Sequence, residues 1–265
     1  MARPEKPLNI RLACMSLMWG FNLPSDELDG WLDDVVRAGY EGAATFYREL
    51  LRFAPDGDLK RRLDDRGLEL ASVDFSITRD LDLLRRVCEA MQSMGCRHLV
   101  TLGGLATRGA DPQELADLLN QIGEVALSCG VCACYHNHTG HAAETLEETE
   151  DLLRRTDPRV FFGFVDVGHA TKDFVGHPVA ERAALFLERN WDRVRFIEFK
   201  DWSPEHDLWT EVGAGQCGWS RVFRIIRERG YSGWITVEQN GPTGGKTPLD
   251  CAAASREFIR KGLGL

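Results

Sequence analysis

Short runs rich in apolar, β-branched and aromatic residues recur along this chain at intervals of roughly 30 residues, about the length of one strand–helix unit. They are IRLACMS (10–16), YEGAATF (40–46), LELASVDF (68–75), HLVTLGG (98–104), VCACYHN (131–137), VFFGFVDV (160–167), VRFIEFKD (194–201) and GWITVEQN (233–240). The segments between them space apolar residues at i, i+3 and i+4, which predicts helices. SDELDGWLDDVVRAG opens on Ser25 as a candidate N-cap and ends at Gly39. DPQELADLLNQIGEVALSCG opens on Asp111, carries Pro112 in its first turn and ends at Gly130. Gly39, Gly67, Gly95, Gly130 and Gly230 each stand just before a predicted strand, where glycine reaches the positive φ of a helix terminus without strain. Strand and helix alternating eight times predict parallel strands joined by right-handed crossovers. Near-equal repeats and a length of 265 residues suit an α/β fold of one closed (β/α)8 TIM barrel, which typically needs about 250 residues. The predicted domain spans 1–265, and an open doubly wound sheet is the alternative.

Charge and cysteine content narrow the setting. A net charge of −9 argues against a nucleic-acid partner, which needs a basic face. No apolar run approaches a membrane span, and MARPEKPLNIRLACMSLMWG lacks the apolar stretch and cleavage site of a leader. The eight cysteines then read as reduced thiols of a cytoplasmic protein. Cys129, Cys132 and Cys134 invite a zinc reading, but no second C-x-x-C closes a four-ligand site, so buried thiols are expected.

In such a barrel, chemistry gathers at the C-terminal ends of the strands. The fifth strand offers His136, His138, His141 and Glu144. The sixth offers Asp166 and His169, the seventh Glu198, Lys200 and Asp201, and the eighth Glu238. The first four offer less: Ser16 and Trp19, Thr45 and Tyr47, Asp74, and Thr101. Four carboxylates from successive strand ends, Glu144, Asp166, Glu198 and Glu238, would repel one another and rise in pKa unless a cation joined them. Oxygen ligands suit Mg2+ or Mn2+. A ring of salt bridges, with Lys200 as one cation, is the alternative. His136 and His138 share one face of their strand. His98 begins a strand, at the other end of the barrel, and reads as structural. Gly213-Ala214-Gly215 lacks the strand-then-helix setting of a dinucleotide loop. Trp19, Phe21, Trp202 and Trp219 are candidates to wall a pocket against the apolar face of a sugar ring.

YHNHTGHAAET, VDVGHA, FKD and GYSGWITVEQ resemble the xylose isomerase-like TIM-barrel family of sugar isomerases and epimerases, with the inosose dehydratase group as the nearest likeness. The resemblance implies a divalent metal, often Mn2+ or Co2+, held by Glu, Asp, His and Glu from the later strands. Glu144, Asp166 and Glu238 stand at matching positions. His169 matches a substrate-contacting histidine, and Lys200 a lysine near the reacting carbonyl. Glu198 stands where the family carries its metal-binding histidine, and Ala44 where the second strand often carries Glu.

The expected function is a metal-dependent isomerase, epimerase or dehydratase acting on a keto-sugar or cyclic keto-polyol through an enediolate. Mn2+ is the expected cofactor, with Mg2+ or Co2+ as alternatives, held by Glu144, Asp166, Glu198 and Glu238. Glu144 or Glu238 would be the base and His138 or Lys200 the acid, with His136, His169 and Trp19 contacting substrate. A homo-oligomer is compatible with this reading. The rivals are a non-catalytic sugar-binding or assembly subunit with a decayed metal site, and an endonuclease IV-like phosphodiesterase. The latter would need more histidine and basic loops.

Overall fold

A computed structural model describes residues 8–21 and 23–265. Residues 1–7, and with them the start of the stretch read for a leader, lie outside it. The elements run β1 (Ile10–Met15), α1 (Ser25–Arg37), β2 (Gly42–Phe46), α2 (Tyr47–Phe53), α3 (Asp58–Asp64), β3 (Glu69–Ser76), α4 (Leu81–Ser93) and β4 (His98–Leu102). They continue α5 (Pro112–Ser128), β5 (Cys132–His136), α6 (Leu146–Arg155), β6 (Phe161–Asp166), α7 (Val167–Asp173), α8 (Arg182–Asn190), β7 (Val194–Phe199), α9 (Trp219–Arg229), β8 (Gly233–Val237) and α10 (Pro248–Leu263). Each strand pairs in parallel with the next, and β1 closes on β8 with Leu12 opposite Ile235. This is a closed (β/α)8 barrel, with all eight strands where the sequence periodicity predicts them.

The local signals act as their chemistry requires. Gly39, Gly67, Gly95, Gly130 and Gly230 all have positive φ, from 66° to 85°. Asp111 caps α5 by accepting from the amides of Gln113 and Glu114 at 2.8 and 2.9 Å. The N-cap expected of Ser25 is not formed: Pro24 holds that position without a side-chain bond, and the Ser25 hydroxyl instead accepts from Arg62 Nη2 at 2.8 Å.

Strand side chains alternate, so every second one points into the barrel. Val100, Cys134, Phe164 and Phe196 fill one interior group, with Cys132, Phe162 and Trp234 packed against it. His98 stacks on Phe196 at 4.5 Å and hydrogen-bonds Ala71 O at 3.1 Å, consistent with packing at that end of the barrel. All eight cysteines are free thiols; Cys132 and Cys134 lie 3.9 Å apart. Among the described residues no helix is long and apolar enough to cross a membrane.

Candidate active site

Three neighbouring strands bring polar residues together near their C-terminal ends. His136 closes β5, Asp166 closes β6, and Glu198 lies opposite Asp166 on β7. His136 Nε2 is 3.8 Å from Asp166 Oδ2 and 3.6 Å from Glu198 Oε1. All three side chains are buried, and one ligand atom from each falls within 4.8 Å of the others. Asp166 Oδ2 and Glu198 Oε1 have no hydrogen-bond partner. The far side of each group is fixed. Asp166 Oδ1 accepts the His169 amide at 2.9 Å, Thr236 donates to Glu198 Oε2 at 3.0 Å, and His136 Nδ1 is 2.9 Å from Asn137 O. A carbonyl only accepts, so Nδ1 carries the histidine proton and Nε2 turns a lone pair toward the two carboxylates.

Three acceptor atoms face one another, and in the absence of a cation the only protons available to them are those of the carboxyls themselves. Burial pushes the Asp166 carboxyl up to about 7, against the pull of Lys200. Glu198 is raised too, by burial and then by Glu238, while burial lowers the His136 pKa and favours the neutral ring. A cation among these atoms would relieve the repulsion, and two carboxylates would match the charge of one divalent ion. The residues present therefore fit the metal that the motifs imply.

Lys200 and Glu238 stand beside this group as a buried ion pair between Lys200 Nζ and Glu238 Oε1. Burial alone would lower the lysine's pKa, but Glu238, Asp166 and Glu198 hold it above that of an ordinary lysine. The glycine of VDVGHA makes room for it: a β-carbon on Gly168 would come within 2.8 Å of Lys200 Cγ. Asp201 faces elsewhere. It accepts from the amides of Trp202, Gly213, Gly215 and Cys217 and from Trp219 Nε1, at 2.7 to 3.2 Å. Those bonds account for the Gly213-Ala214-Gly215 loop, since a β-carbon on Gly215 would strike Asp201 Oδ1.

Several expected placements differ. Glu144, on the loop after β5, does not join the cluster: its Oε2 accepts the Gly140 amide at 2.6 Å and lies 4.0 Å from Arg108 on the loop after β4. His136, expected to touch substrate, occupies the place opposite Asp166 and Glu198 instead. Trp19 donates its indole N–H to Asp34 at 3.0 Å and packs on the core. Trp219 is buried among Phe199, Phe223 and Phe258. His138 lies 4.0 Å from the His169 ring and 4.3 Å from His141, ring to ring. Its Nδ1 is 2.8 Å from Thr139 O, so Nε2 bears the lone pair. Burial and the neighbouring histidines push its pKa down to about 2.

The structure adds Asn137 and Asp74 beside the cluster and places Phe21, expected to wall a pocket, in the wall of one. Asn137 clamps Asp166, donating to its carbonyl at 3.1 Å and accepting from its amide at 3.0 Å; the only sequence signal is its place between two strand-end histidines. Burial, followed by Glu198 and Glu238, holds the Asp74 carboxyl well above its usual range. Asp74 and His138 line a cavity of about 300 Å3 walled by Phe21, Phe46, Tyr47 and Phe75. The exposed Phe21 ring lies 4.8 Å from Phe46.

A model of the xylose isomerase-like TIM barrel family matches residues 32–262. The chain belongs to this family. This xylose isomerase-like barrel is 26% identical over 274 residues to the inosose dehydratase of Bacillus licheniformis, covering 88% of this chain and 87% of that protein. Its fold superposes on the D-allulose 3-epimerase of a Methylomonas species with a TM-score of 0.78, at 16% identity and over 97% of this chain and 99% of the other. It also superposes on the IOLI protein with a bound zinc atom, with a TM-score of 0.74, at 15% identity and over 96% and 98% of the two chains. At these identities the structural likeness bears on the fold.

Proposed function

We propose that this barrel abstracts a proton beside the carbonyl of a keto-sugar or cyclic keto-polyol, leading to isomerisation, epimerisation or dehydration, with a divalent metal held by His136, Asp166 and Glu198. The observation that carries the reading is the three buried ligand atoms, His136 Nε2, Asp166 Oδ2 and Glu198 Oε1, gathered within 4.8 Å of one another, with the two carboxylate oxygens lacking a hydrogen-bond partner. The relatives named inosose dehydratase and D-allulose 3-epimerase support the enzyme and substrate class. The neighbour named with a zinc atom supports metal binding by a barrel of this fold.

When bound, the ion supplies a Lewis acid for the substrate's carbonyl and neighbouring hydroxyl oxygens. One imidazole with two carboxylates suits Mn2+, Co2+ and Zn2+, and Mn2+ remains the first choice. Glu238, anchored on Lys200, is the base for the carbon-bound proton, and the enediolate is the product of that step. Lys200, kept protonated, donates to the oxygen that gains charge or to the departing hydroxyl. His138 is neutral and presents a lone pair, so it accepts a substrate hydroxyl, and the acid role falls to Lys200. The aromatic wall of Phe21, Phe46, Tyr47 and Phe75 covers the apolar face of the substrate.

The test is solvent exchange. Chelated protein is reloaded with Mn2+ and incubated in D2O with an inosose and, separately, with ketohexoses. Deuterium at the carbon beside the carbonyl, dependent on reloading, is expected. Neither exchange nor turnover with any of these substrates, in protein shown to hold metal, overturns the proposal.

A further inference from the structure

His169 lies in the first turn of α7 with its two ring nitrogens in different surroundings. Nε2 is buried, has no hydrogen-bond partner and lies 3.8 Å from Asp166 Oδ2. Nδ1 lies 2.9 Å from the Thr139 hydroxyl, which is itself 2.6 Å from Asp173 Oδ2. Asp173 sits one helical turn after His169, with its Oδ2 3.5 Å from Nδ1. Three side chains from two strand-end segments therefore form a row: Asp173, Thr139, His169.

The Thr139 hydroxyl owns one hydrogen. At 2.6 Å from a carboxylate oxygen, that hydrogen belongs to the Asp173 contact, which is charge-assisted and short. The Thr139 oxygen then has only lone pairs to offer His169, so the proton in the 2.9 Å contact must sit on Nδ1. The Thr139 amide, 3.2 Å from Nδ1, favours the opposite tautomer. The shorter hydroxyl contact, backed by the carboxylate, outweighs it.

We propose that Thr139 and Asp173 are positioning residues that hold His169 in the Nδ1–H tautomer, so that Nε2 turns a lone pair into the site and accepts a hydrogen bond from a substrate hydroxyl. The substrate contact rests on the proposed function; the tautomer does not. The row also explains why Thr139 follows the His-Asn-His run: Oγ1 is a bidirectional partner that valine, of the same shape, cannot replace. Asp173 is ionised at about pH 8, since burial pushes its carboxyl up only to about 6.

The test is the ring-nitrogen spectrum of histidine-labelled, full-length protein held in chelator at about pH 8, with His169→Asn to assign the signals. The wild type is expected to show a protonated Nδ1 and a bare Nε2 on His169. Thr139→Val is expected to move the proton toward Nε2, because the Thr139 amide, at 3.2 Å, is then a closer partner of Nδ1 than Asp173 Oδ2 at 3.5 Å. Thr139→Ser is expected to restore the wild-type pattern, and Asp173→Asn to give a mixture. On substrate, Thr139→Val is expected to lower kcat/KM by about tenfold, the size of one lost hydrogen bond, and Thr139→Ser to recover it. A wild-type His169 protonated on Nε2, or a Thr139→Val spectrum identical to wild type, overturns the inference. Spectra that behave as expected, in a protein that turns over no keto-sugar or keto-polyol, remove the proposed function and leave the tautomer assignment standing.

Discussion

Lys200 on the segment leaving β7 lays its ammonium against Glu238 on the segment leaving β8, and both side chains are buried. The pair separates two kinds of negative charge at the barrel mouth. Glu238 is in direct contact with a cation, while Asp166 and Glu198 feel Lys200 only from a distance. Four carboxylates around one ion would leave an excess of charge; two, with an imidazole, do not.

Breaking the pair should therefore be costly. Lys200→Met leaves Glu238 buried beside other acids, and removing one partner of a buried pair typically costs about 3–5 kcal/mol. Urea unfolding of chelated protein checks this. A loss below about 1 kcal/mol would mean that water reaches Glu238 and screens it.

Asp166 gives a pH-dependent prediction whose sign follows from its raised pKa. A carboxyl held up in the folded state costs stability above its folded pKa and nothing below its unfolded one. Burial raises Asp166 from 3.8 to about 7. Chelated Asp166→Asn should thus be more stable than wild type at about pH 8, by as much as about 4 kcal/mol. The gap should shrink as pH falls through 7 and vanish below about 4. Asparagine keeps the cap on the His169 amide, so the helix start is preserved. With metal present the order should reverse. Chemical unfolding of both proteins across this range gives the answer; a gap independent of pH would remove Asp166 from the charged cluster.

The metal shell can be mapped by titrating chelated variants with Mn2+. His136→Ala and Asp166→Ala should weaken binding by at least about tenfold, as outer-shell losses alone cost that much. Glu144→Gln should bind as wild type does, because its carboxylate is engaged with Gly140 and Arg108. Glu238→Gln should keep the metal and lose turnover. Glu198→His should shift preference toward zinc or cobalt. Tight binding by His136→Ala would return the place to Glu144.

Asp201→Asn replaces a carboxylate that accepts five hydrogen bonds with a group that must donate on one side. Bonds to charged groups are each worth about 1.5–3 kcal/mol, so a destabilisation near about 3 kcal/mol is expected, with faster proteolysis between residues 202 and 218. Unchanged cleavage there would mean that the loop holds its course without Asp201.

The fold was legible because its signals are local: alternating strands, helical spacing, and glycines at the helix ends. The site was legible where residues belong to strands. Asp166 and Glu198 face inward because the pleat of β6 and β7 turns them there. Glu144 lies well past the end of β5, on a loop whose path no periodicity fixes, so its type suggested a ligand and its position did not deliver one. His136 is the last residue of β5 and shares the inward face of Cys134; the pleat had already pointed it at the carboxylates. Trp19 shows the same limit, since only the folded chain brings Asp34 to its indole. The Asp173–Thr139–His169 row joins two segments that the sequence alone gives no reason to pair.

A carboxylate that gathers main-chain amides is indifferent to the side chains those amides carry. Asp201 holds the stretch from Trp202 to Trp219 mostly in this way, while Ala214 and Gln216 point into solvent. Those two positions are thus open to randomisation or chemical labelling, giving a handle at the rim of the barrel that leaves its shape untouched.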